Sequence, residues 1–323
     1  SLILQWMSEV ETVTAQSYYL LASAYFQKTD YVRARTNMEE AIRLAEEEGY
    51  RPKENWYVLL AACFSELKDK KIISAQYALE QQVGIYEILV NYYPKKLYFL
   101  QLGGTYQQMD REEDYMLTLK AAYEKDLLDK EGEYLALAQM LLLKKNPYWA
   151  AQVLVAGQQK KVTITDEDTG EEEVVAVVKD KEKTLKLLAD AWRMAQEIDK
   201  AIPVLEKAAK MSKDGDTYVL LGNLYLFEDR MEDSIRAIEA GLKKPKVKSR
   251  SQALLVLGQA HFELQNFEEA KKQFRAAARD ENKRIKKTAN SWIKYAENEE
   301  VRVKNLALRR DFIQQSKAKS KNS

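Results

Sequence analysis

Residues 251–280, SQALLVLGQAHFELQNFEEAKKQFRAAARD, carry the pattern that decides the fold. With Ser251 counted as position 1, six residues mark the pattern at positions 7, 8, 11, 20, 24 and 27: Leu257, Gly258, His261, Ala270, Phe274 and Ala277. Small residues at positions 8, 20 and 27 allow two helix backbones to approach closely, and the larger residues fill the space between them. The stretch therefore predicts two antiparallel helices packed on each other.

The same register occurs six more times along the chain. The small residue at position 8 marks each copy in turn: Ala22, Ala61, Gly103, Ala138, Ala189, Gly222 and Gly258. Their spacings are 39, 42, 35, 51, 33 and 36 residues, and all but the fourth lie near the tetratricopeptide period of about 34. A single match would be weak, but several matches in one register identify the chain as a tetratricopeptide repeat protein.

Two copies depart from the pattern. Tyr115 is a bulky residue at a position that is normally small. The second copy has a good first helix, but we expect a lengthened linker around residues 67–80 before its second helix.

The predicted fold class is all-α, a right-handed α-solenoid of about seven such helix pairs with a C-terminal capping helix and one inserted β-hairpin. We expect a single superhelical domain over residues 1–312. Its predicted repeats cover residues 15–48, 54–94, 96–129, 131–161, 182–214, 215–248 and 251–284.

The two ends complete this prediction. Residues 1–14 predict one amphipathic helix, interpreted as the second helix of a truncated repeat, and the first residues lack the basic region of an intact signal peptide. We therefore expect a trimmed or processed form of the protein. Residues 284–312 predict a capping helix, and the basic, low-complexity residues 313–323 predict a disordered tail.

One insertion interrupts the array. The spacing of 51 residues between Ala138 and Ala189 exceeds the period by 17, and residues 162–178 number 17. These residues contain the β-branched runs VTIT and VVAVV around an acidic turn, DEDTGE, in which Gly170 can adopt a positive φ. The insertion therefore predicts a β-hairpin that projects from the helical array.

Composition narrows the function. The net charge of +1 gives the whole chain no electrostatic preference for nucleic acid or anionic membranes, and no apolar run is long enough for a membrane span.

The single cysteine, Cys63, excludes an intrachain disulfide and is interpreted as a small buried residue. The single histidine, His261, occupies a packing position, so a histidine triad or a multi-histidine zinc site is not expected. The acidic turn lacks the spacing of a calcium loop. We expect no enzymatic activity, cofactor or metal.

The first helix of each tetratricopeptide repeat lines a concave groove, and its positions 2, 5, 9, 12 and 13 predict the binding residues. Aromatic and amide side chains there suit an extended peptide, because tyrosine offers area with a polar tip and amides bond to peptide backbone. The predicted groove residues are Tyr19, Ser23, Phe26, Gln107, Gln108, Gln139, Lys186, Arg193, Asn223 and Gln259.

The hairpin is the second candidate surface. The valines Val174, Val175 and Val177 lie on a strand whose free edge could pair with a partner strand. Alternatively, the hairpin folds back and buries its valines on the neighbouring helices.

Residues 20–64, 82–112 and 241–281 resemble a narrower group, the tetratricopeptide proteins encoded beside TonB, ExbB and ExbD-type genes in marine gammaproteobacteria. The resemblance implies a periplasmic protein that accompanies TonB-dependent uptake across the outer membrane, with a TonB, ExbB or ExbD-type component or another envelope protein as its partner. It implies no catalytic residues. The leading hypothesis is a non-enzymatic scaffold. A peptidoglycan-, carbohydrate- or peptide-binding module and a cytoplasmic assembly scaffold are the alternatives.

Overall fold

A computed structural model describes residues 13–165 and 169–321 of the chain. The helix predicted at residues 1–14 lies, apart from Val13 and Thr14, outside the described residues. The described helices are α1 Ala15–Gln27, α2 Tyr31–Glu47, α3 Glu54–Asp69, α4 Ala75–Tyr92, α5 Lys96–Gln108, α6 Glu112–Glu124, α7 Glu131–Leu143, α8 Pro147–Gln159, α9 Glu182–Met194, α10 Ile198–Met211, α11 Asp216–Phe227, α12 Met231–Leu242, α13 Arg250–Glu263, α14 Phe267–Ala277 and α15 Lys283–Lys321. The described strands are β1 Lys161–Thr165 and β2 Glu172–Ala176.

These elements confirm the predicted fold class, an all-α array of helix pairs with an inserted β-hairpin and a terminal helix. Each of the seven pairs lies within a predicted repeat, except that α13 begins one residue early, at Arg250. The chain divides into two compact units, residues 1–140 and residues 141–323. The single domain expected over residues 1–312 stays a prediction.

In the first unit, each helix from α1 to α6 packs on the next. Trp56, Phe64, Met38 and Leu89 are fully buried at the centre of this packing. The small position-8 residue Ala22 is inaccessible to solvent, as the close approach of two helices requires.

Tyr115 also finds its place in this unit. A Cβ at Gly103 would lie 3.0 Å from Cδ2 of Tyr115, so the ring occupies the space that a side chain at residue 103 would need. Glycine on α5 therefore compensates for the bulky residue on α6.

In the second unit, consecutive helices from α8 to α15 also pack on one another. Phe274 is fully buried beneath α13 and α15, and its ring stacks on Trp292 with 5.5 Å between centroids. A Cβ at Gly258 would lie 2.4 Å from Cε1 of Phe274, so the position-8 glycine is required by this contact.

The turn inside each helix pair has one conformation in common. Its second residue after the first helix has a φ between 55° and 62°, as at Thr29, Asp110 and Gln265. The following amide then bonds back to a carbonyl in the last turn of the first helix, for example Asp30 N–H to the Tyr25 carbonyl at 3.0 Å. The array repeats this left-handed turn without glycine, so the sequence gives no glycine signal for it.

Two expectations about the ends of helices need correction. The linker of the second repeat is longer than in the other pairs, with five residues (70–74) against three, but most of the extra residues lengthen α3 and α4. The linker ends at Ser74, whose hydroxyl caps α4 by accepting from Tyr77 N–H. The tail expected to be disordered over residues 313–323 is helical through residue 321. It contains no glycine or proline to end the helix, and its residues are compatible with helix.

Candidate functional site

The predicted groove residues of the first repeat lie together on α1. The Tyr19 ring stacks on Trp56 of α3 at 5.3 Å, and the Asn55 side-chain amide donates to the Tyr19 hydroxyl at 2.8 Å. The Ser23 hydroxyl donates to the Tyr19 carbonyl at 2.9 Å, and the Phe26 ring packs edge-on against Tyr31. The first helices of repeats one and two are therefore neighbours on this surface.

The next predicted residues of this unit are exposed. Gln107, Gln108 and Gln139 lie on the surface of α5 and α7. The Gln108 amide donates to the Gly104 carbonyl at 3.2 Å, and its oxygen accepts from Lys68 Nζ at 3.5 Å. This polar contact joins α3 to α5, as the Tyr19 contact joins α1 to α3.

The groove residues of the second unit bond mainly within their own helices. Lys186 pairs with Glu182 at 2.5 Å, and Arg193 pairs with Asp190 at 3.2 Å. The Asn223 amide donates to the Val219 carbonyl at 2.8 Å. Gln259 is half-buried on α13.

The structure places these ten residues on the first helices of their pairs, six in one unit and four in the other. Several of these side chains already form a hydrogen bond or an ion pair with a residue of their own helix. A bound partner would have to replace those interactions. Their role in binding stays a prediction.

The hairpin has a definite register. β1 and β2 are antiparallel, with Thr163 opposite Val174 and Val162 opposite Val175. The Val177 amide donates to the Lys160 carbonyl at 2.9 Å, and this bond makes Lys161 and Ala176 a pair without mutual hydrogen bonds. By alternation, the N–H and C=O groups of Glu172, Val174 and Ala176 point away from β1. Within residues 13–165 and 169–321 they have no backbone partner.

The valines divide between a buried base and an exposed strand. Val177 and Val178 are buried, and the Val178 amide donates to the Gly157 carbonyl at 2.9 Å, which ties the hairpin to the end of α8. Val175 is half-buried, whereas the Val174 side chain is 66 % exposed. The folded-back arrangement therefore holds for the base and not for Val174. Gly170 has a φ of 71°, as its place in the turn predicted.

A groove of about 590 Å³ runs beside β2 and reaches α9 and α10. Its apolar lining includes Val178, Leu185, Leu188 and Val204. Charged side chains lie around it, namely Lys161, Glu173, Lys179, Asp180 and Lys207. Asp180 accepts a hydrogen bond from the Gln158 amide at 2.8 Å and lies 3.8 Å from Lys207 Nζ. The groove thus combines an open strand edge, an apolar floor and a mixed-charge rim.

The residues considered for chemistry have structural surroundings. Cys63 is fully buried, and burial raises the pKa of its thiol to about 12, which disfavours the reactive thiolate. His261 is half-buried, and burial lowers its pKa. In the described part of the chain, no group of three or more His, Cys, Asp and Glu side chains is placed to hold a metal ion. No helix of that part is both long and apolar enough to cross a membrane.

The tryptophans bear on the carbohydrate-binding alternative. Trp56 and Trp192 are buried, and Trp292 is half-buried in the aromatic cluster around Phe274. Trp149 is 52 % exposed on α8, and no ring contact to it is formed by the described residues. A coplanar pair of exposed rings, which would favour sugar stacking, is not formed at Trp149.

Paired helices with small residues at most of their close contacts are the arrangement expected of tetratricopeptide-type repeats. The tetratricopeptide repeat family model matches residues 15–48 and 251–279. The chain therefore contains tetratricopeptide repeats, which are in general protein-interaction modules.

Several solved structures match part of this chain over nearly their whole length. Crystal structures of MamA share 18–19 % identity and cover 57–59 % of this chain and 94–97 % of their own, with TM-scores of 0.43–0.45. A tetratricopeptide repeat protein from Parabacteroides merdae ATCC 43184 shares 14 % identity and covers 88 % of this chain and 98 % of its own, with a TM-score of 0.32. No curated protein matches the chain. None of these findings bears on the TonB-associated group, so that resemblance stays a prediction.

Sequence reasoning located the hairpin but missed the groove beside it. The groove depends on residues of α9 and α10 that read as ordinary helix positions, such as Val204 and Lys207. The basic character of α15 was also missed, because only the net charge of the whole chain was considered. Counting charge by segment would have found that feature.

Proposed function

We propose that this protein is a non-enzymatic scaffold that holds an extended partner segment along the outer edge of β2. The observation that carries the proposal is the row of outward N–H and C=O groups at Glu172, Val174 and Ala176, which borders a groove with an apolar floor and a charged rim. Such an edge is a template for strand addition, in which main-chain bonds supply affinity and pockets for alternate side chains supply specificity.

The geometry fits one added strand. A strand paired to β2 lies about 4.8 Å from it, on the side of the groove. Alternate side chains of the partner then face the floor formed by Leu185, Leu188 and Val204. We expect a partner segment that alternates apolar and polar residues.

Two matched proline variants test the edge. Thr163 and Val174 lie directly opposite each other, and both direct their N–H groups away from the ladder. Val174→Pro removes one donor from the outer edge of β2, and Thr163→Pro removes the equivalent donor from the outer edge of β1. Neither change removes a ladder hydrogen bond.

The probe is a phage-displayed library of short random peptides, selected on the wild-type protein. We expect the selected peptides to alternate apolar and polar residues, to bind Thr163→Pro normally and to lose affinity for Val174→Pro. Equal binding to both variants, or full binding to a variant that lacks residues 162–178, contradicts the proposal. Thermal unfolding of each variant checks that the helices remain folded.

The finer proposal concerns the setting of this scaffold. The resemblance of residues 20–64, 82–112 and 241–281 supports a periplasmic protein whose partner is a TonB, ExbB or ExbD-type component or another envelope protein. This proposal rests on the resemblance alone. Its test is pull-down from native membranes with mass spectrometry, together with cell fractionation. Recovery in the cytoplasmic fraction would favour an assembly scaffold in that compartment.

A further inference from the structure

Helix α15 concentrates the positive charge of the chain. Residues 283–321 contain 12 lysines and arginines but four aspartates and glutamates, a net charge of +8. Because the whole chain carries +1, the remaining residues carry −7. The near-neutral total therefore hides one strongly basic segment.

The first half of α15 is anchored on one face and basic on the other. Ala289 and Ala296 are fully buried against α13 and α14. On the outside, Lys283, Lys286, Lys287 and Lys294 line one shallow recess with Asn290 and Ser291. In residues 13–165 and 169–321, Lys283, Lys287 and Lys294 have no ion-pair partner.

The lysines at the start of α15 do not stabilise the helix itself. The first turn of α15 has no acidic residue, and lysines near a helix N-terminus oppose its dipole. The cluster is therefore unfavourable within the chain and is suited to an external anion-rich surface.

The second half of α15 is exposed and carries apolar residues. From Lys304 to Lys317 every residue is exposed, including Leu308 at 67 % and Phe312 at 70 %. Residues 287, 294, 301 and 308 recur every seven positions, and Phe312 follows four positions later, so they share one outward face. Lysines occupy the first part of this face, and Val301, Leu308 and Phe312 occupy the second part.

We propose that the outward face of α15 binds the surface of an anionic lipid bilayer. Lysines on the face would contact lipid headgroups, while Leu308 and Phe312 would enter the boundary between headgroups and acyl chains. A nucleic acid or an acidic polypeptide complements the lysines but leaves these exposed apolar side chains uncovered. A lipid interface accommodates both parts of the face.

The experiment is co-sedimentation of the full chain with vesicles of two compositions, phosphatidylcholine alone and equal parts phosphatidylcholine and phosphatidylglycerol. We expect binding only to the anionic vesicles. Lys287→Glu with Lys294→Glu should weaken that binding by more than about tenfold, since each basic residue contributes to attraction by an anionic surface. Leu308→Gln with Phe312→Gln should also weaken it, although this variant keeps every lysine and arginine.

The matched control is Lys183→Glu with Lys213→Glu, which changes the net charge equally but lies on exposed residues outside α15. This control should bind like the wild type. Equal loss in the control, no loss on removing Leu308 and Phe312, or no binding to anionic vesicles overturns the proposal. Equal competition by a short DNA duplex or by polyglutamate would also overturn it, because the face would then recognise charge without lipid. Circular dichroism of each variant confirms that the helices are intact.

Discussion

The hairpin and helix α15 are the two elements of the second unit that the repeat pattern does not supply, and they are attached in different ways. The hairpin is held at its base by two buried valines, Val177 and Val178, and by backbone hydrogen bonds to Gly157 near the end of α8 and to Lys160 just after it. Helix α15 is held by an aromatic cluster centred on Phe274 and Trp292 and by the buried ammonium of Lys271, which bonds to Glu300 at 2.7 Å.

These two kinds of attachment indicate which parts of each element can be substituted without destabilising the protein. Each has an anchored part whose side chains are buried and an exposed part whose side chains contribute little to folding. The anchor of α15 is larger and buries aromatic rings, so damage there should cost more than damage to the hairpin base. The exposed parts, around Val174 and around Leu308, should be replaceable without loss of stability.

Trp292→Ala is expected to have the largest effect. The Trp292 ring stacks on Phe274 and packs edge-on against Phe262 at 5.6 Å, so its removal leaves a cavity where α15 packs on α13 and α14. We expect a loss of about 3 kcal/mol in the free energy of unfolding, measured by urea titration. The matched control is Trp149→Ala, at an exposed tryptophan, for which a change within about 0.5 kcal/mol is expected. Similar losses in both variants would mean that Trp292 does not anchor α15.

Gly258→Ala on α13 should disturb the same packing between α13, α14 and α15. The added Cβ would lie 2.4 Å from a ring carbon of Phe274, so either the ring or the helix must shift. Overpacking of this kind costs about 1–3 kcal/mol, and Gly258→Leu should cost at least as much.

The control is Gly104→Ala on α5, where an added Cβ meets nothing within 4 Å. That change should stabilise the protein by about 0.8–1 kcal/mol, because alanine favours helix over glycine. If Gly258→Ala were also stabilising, the register of the last repeat would be wrong.

Within the hairpin, Val178→Ala and Val174→Ala compare the base with the strand. Val178 is 1 % exposed, so losing its two methyl groups should cost about 1.5 kcal/mol of unfolding free energy. Val174 points to solvent, and its truncation should change stability by less than about 0.5 kcal/mol. Equal costs in thermal or urea unfolding would show that the two ends of the strand are equally packed.

The buried parts of both elements followed from sequence patterns. The repeat register placed Gly258 at a small position and Phe274 at a large one, and the structure packs the two together. The period also gave the size of the insertion, because the excess of 17 residues matches a β-branched segment. Local patterns carry this information because a small residue such as Gly258 marks a position where a neighbouring helix packs closely. The groove beside β2 did not follow, because Val204 and Lys207 meet the strand only through tertiary packing. The helical tail was also missed, since low complexity and charge were taken as disorder although nothing in the segment breaks a helix.

The smallest effect concerns the charged part of the α15 anchor. Hydrogen bonds from Lys271 and Lys304 lower the pKa of Glu300 to about 2, below the value of about 4.3 expected in an unfolded chain. A carboxylate whose pKa is lowered by folding stabilises the protein above its unfolded pKa, and this contribution is lost as the pH falls from about 4.3 towards 2. Glu300→Gln removes the titrating group, so the difference in unfolding free energy between wild type and variant should shrink over that interval. Glu297→Gln on the same helix serves as the control, because the Glu297 side chain is exposed and lies 4.0 Å from Arg275 of α14. Urea titrations at about pH 6 and about pH 2.5 measure the difference in unfolding free energy between wild type and Glu300→Gln. A difference that stays constant between these two pH values would show that the charge of Glu300 does not stabilise the packing of α15.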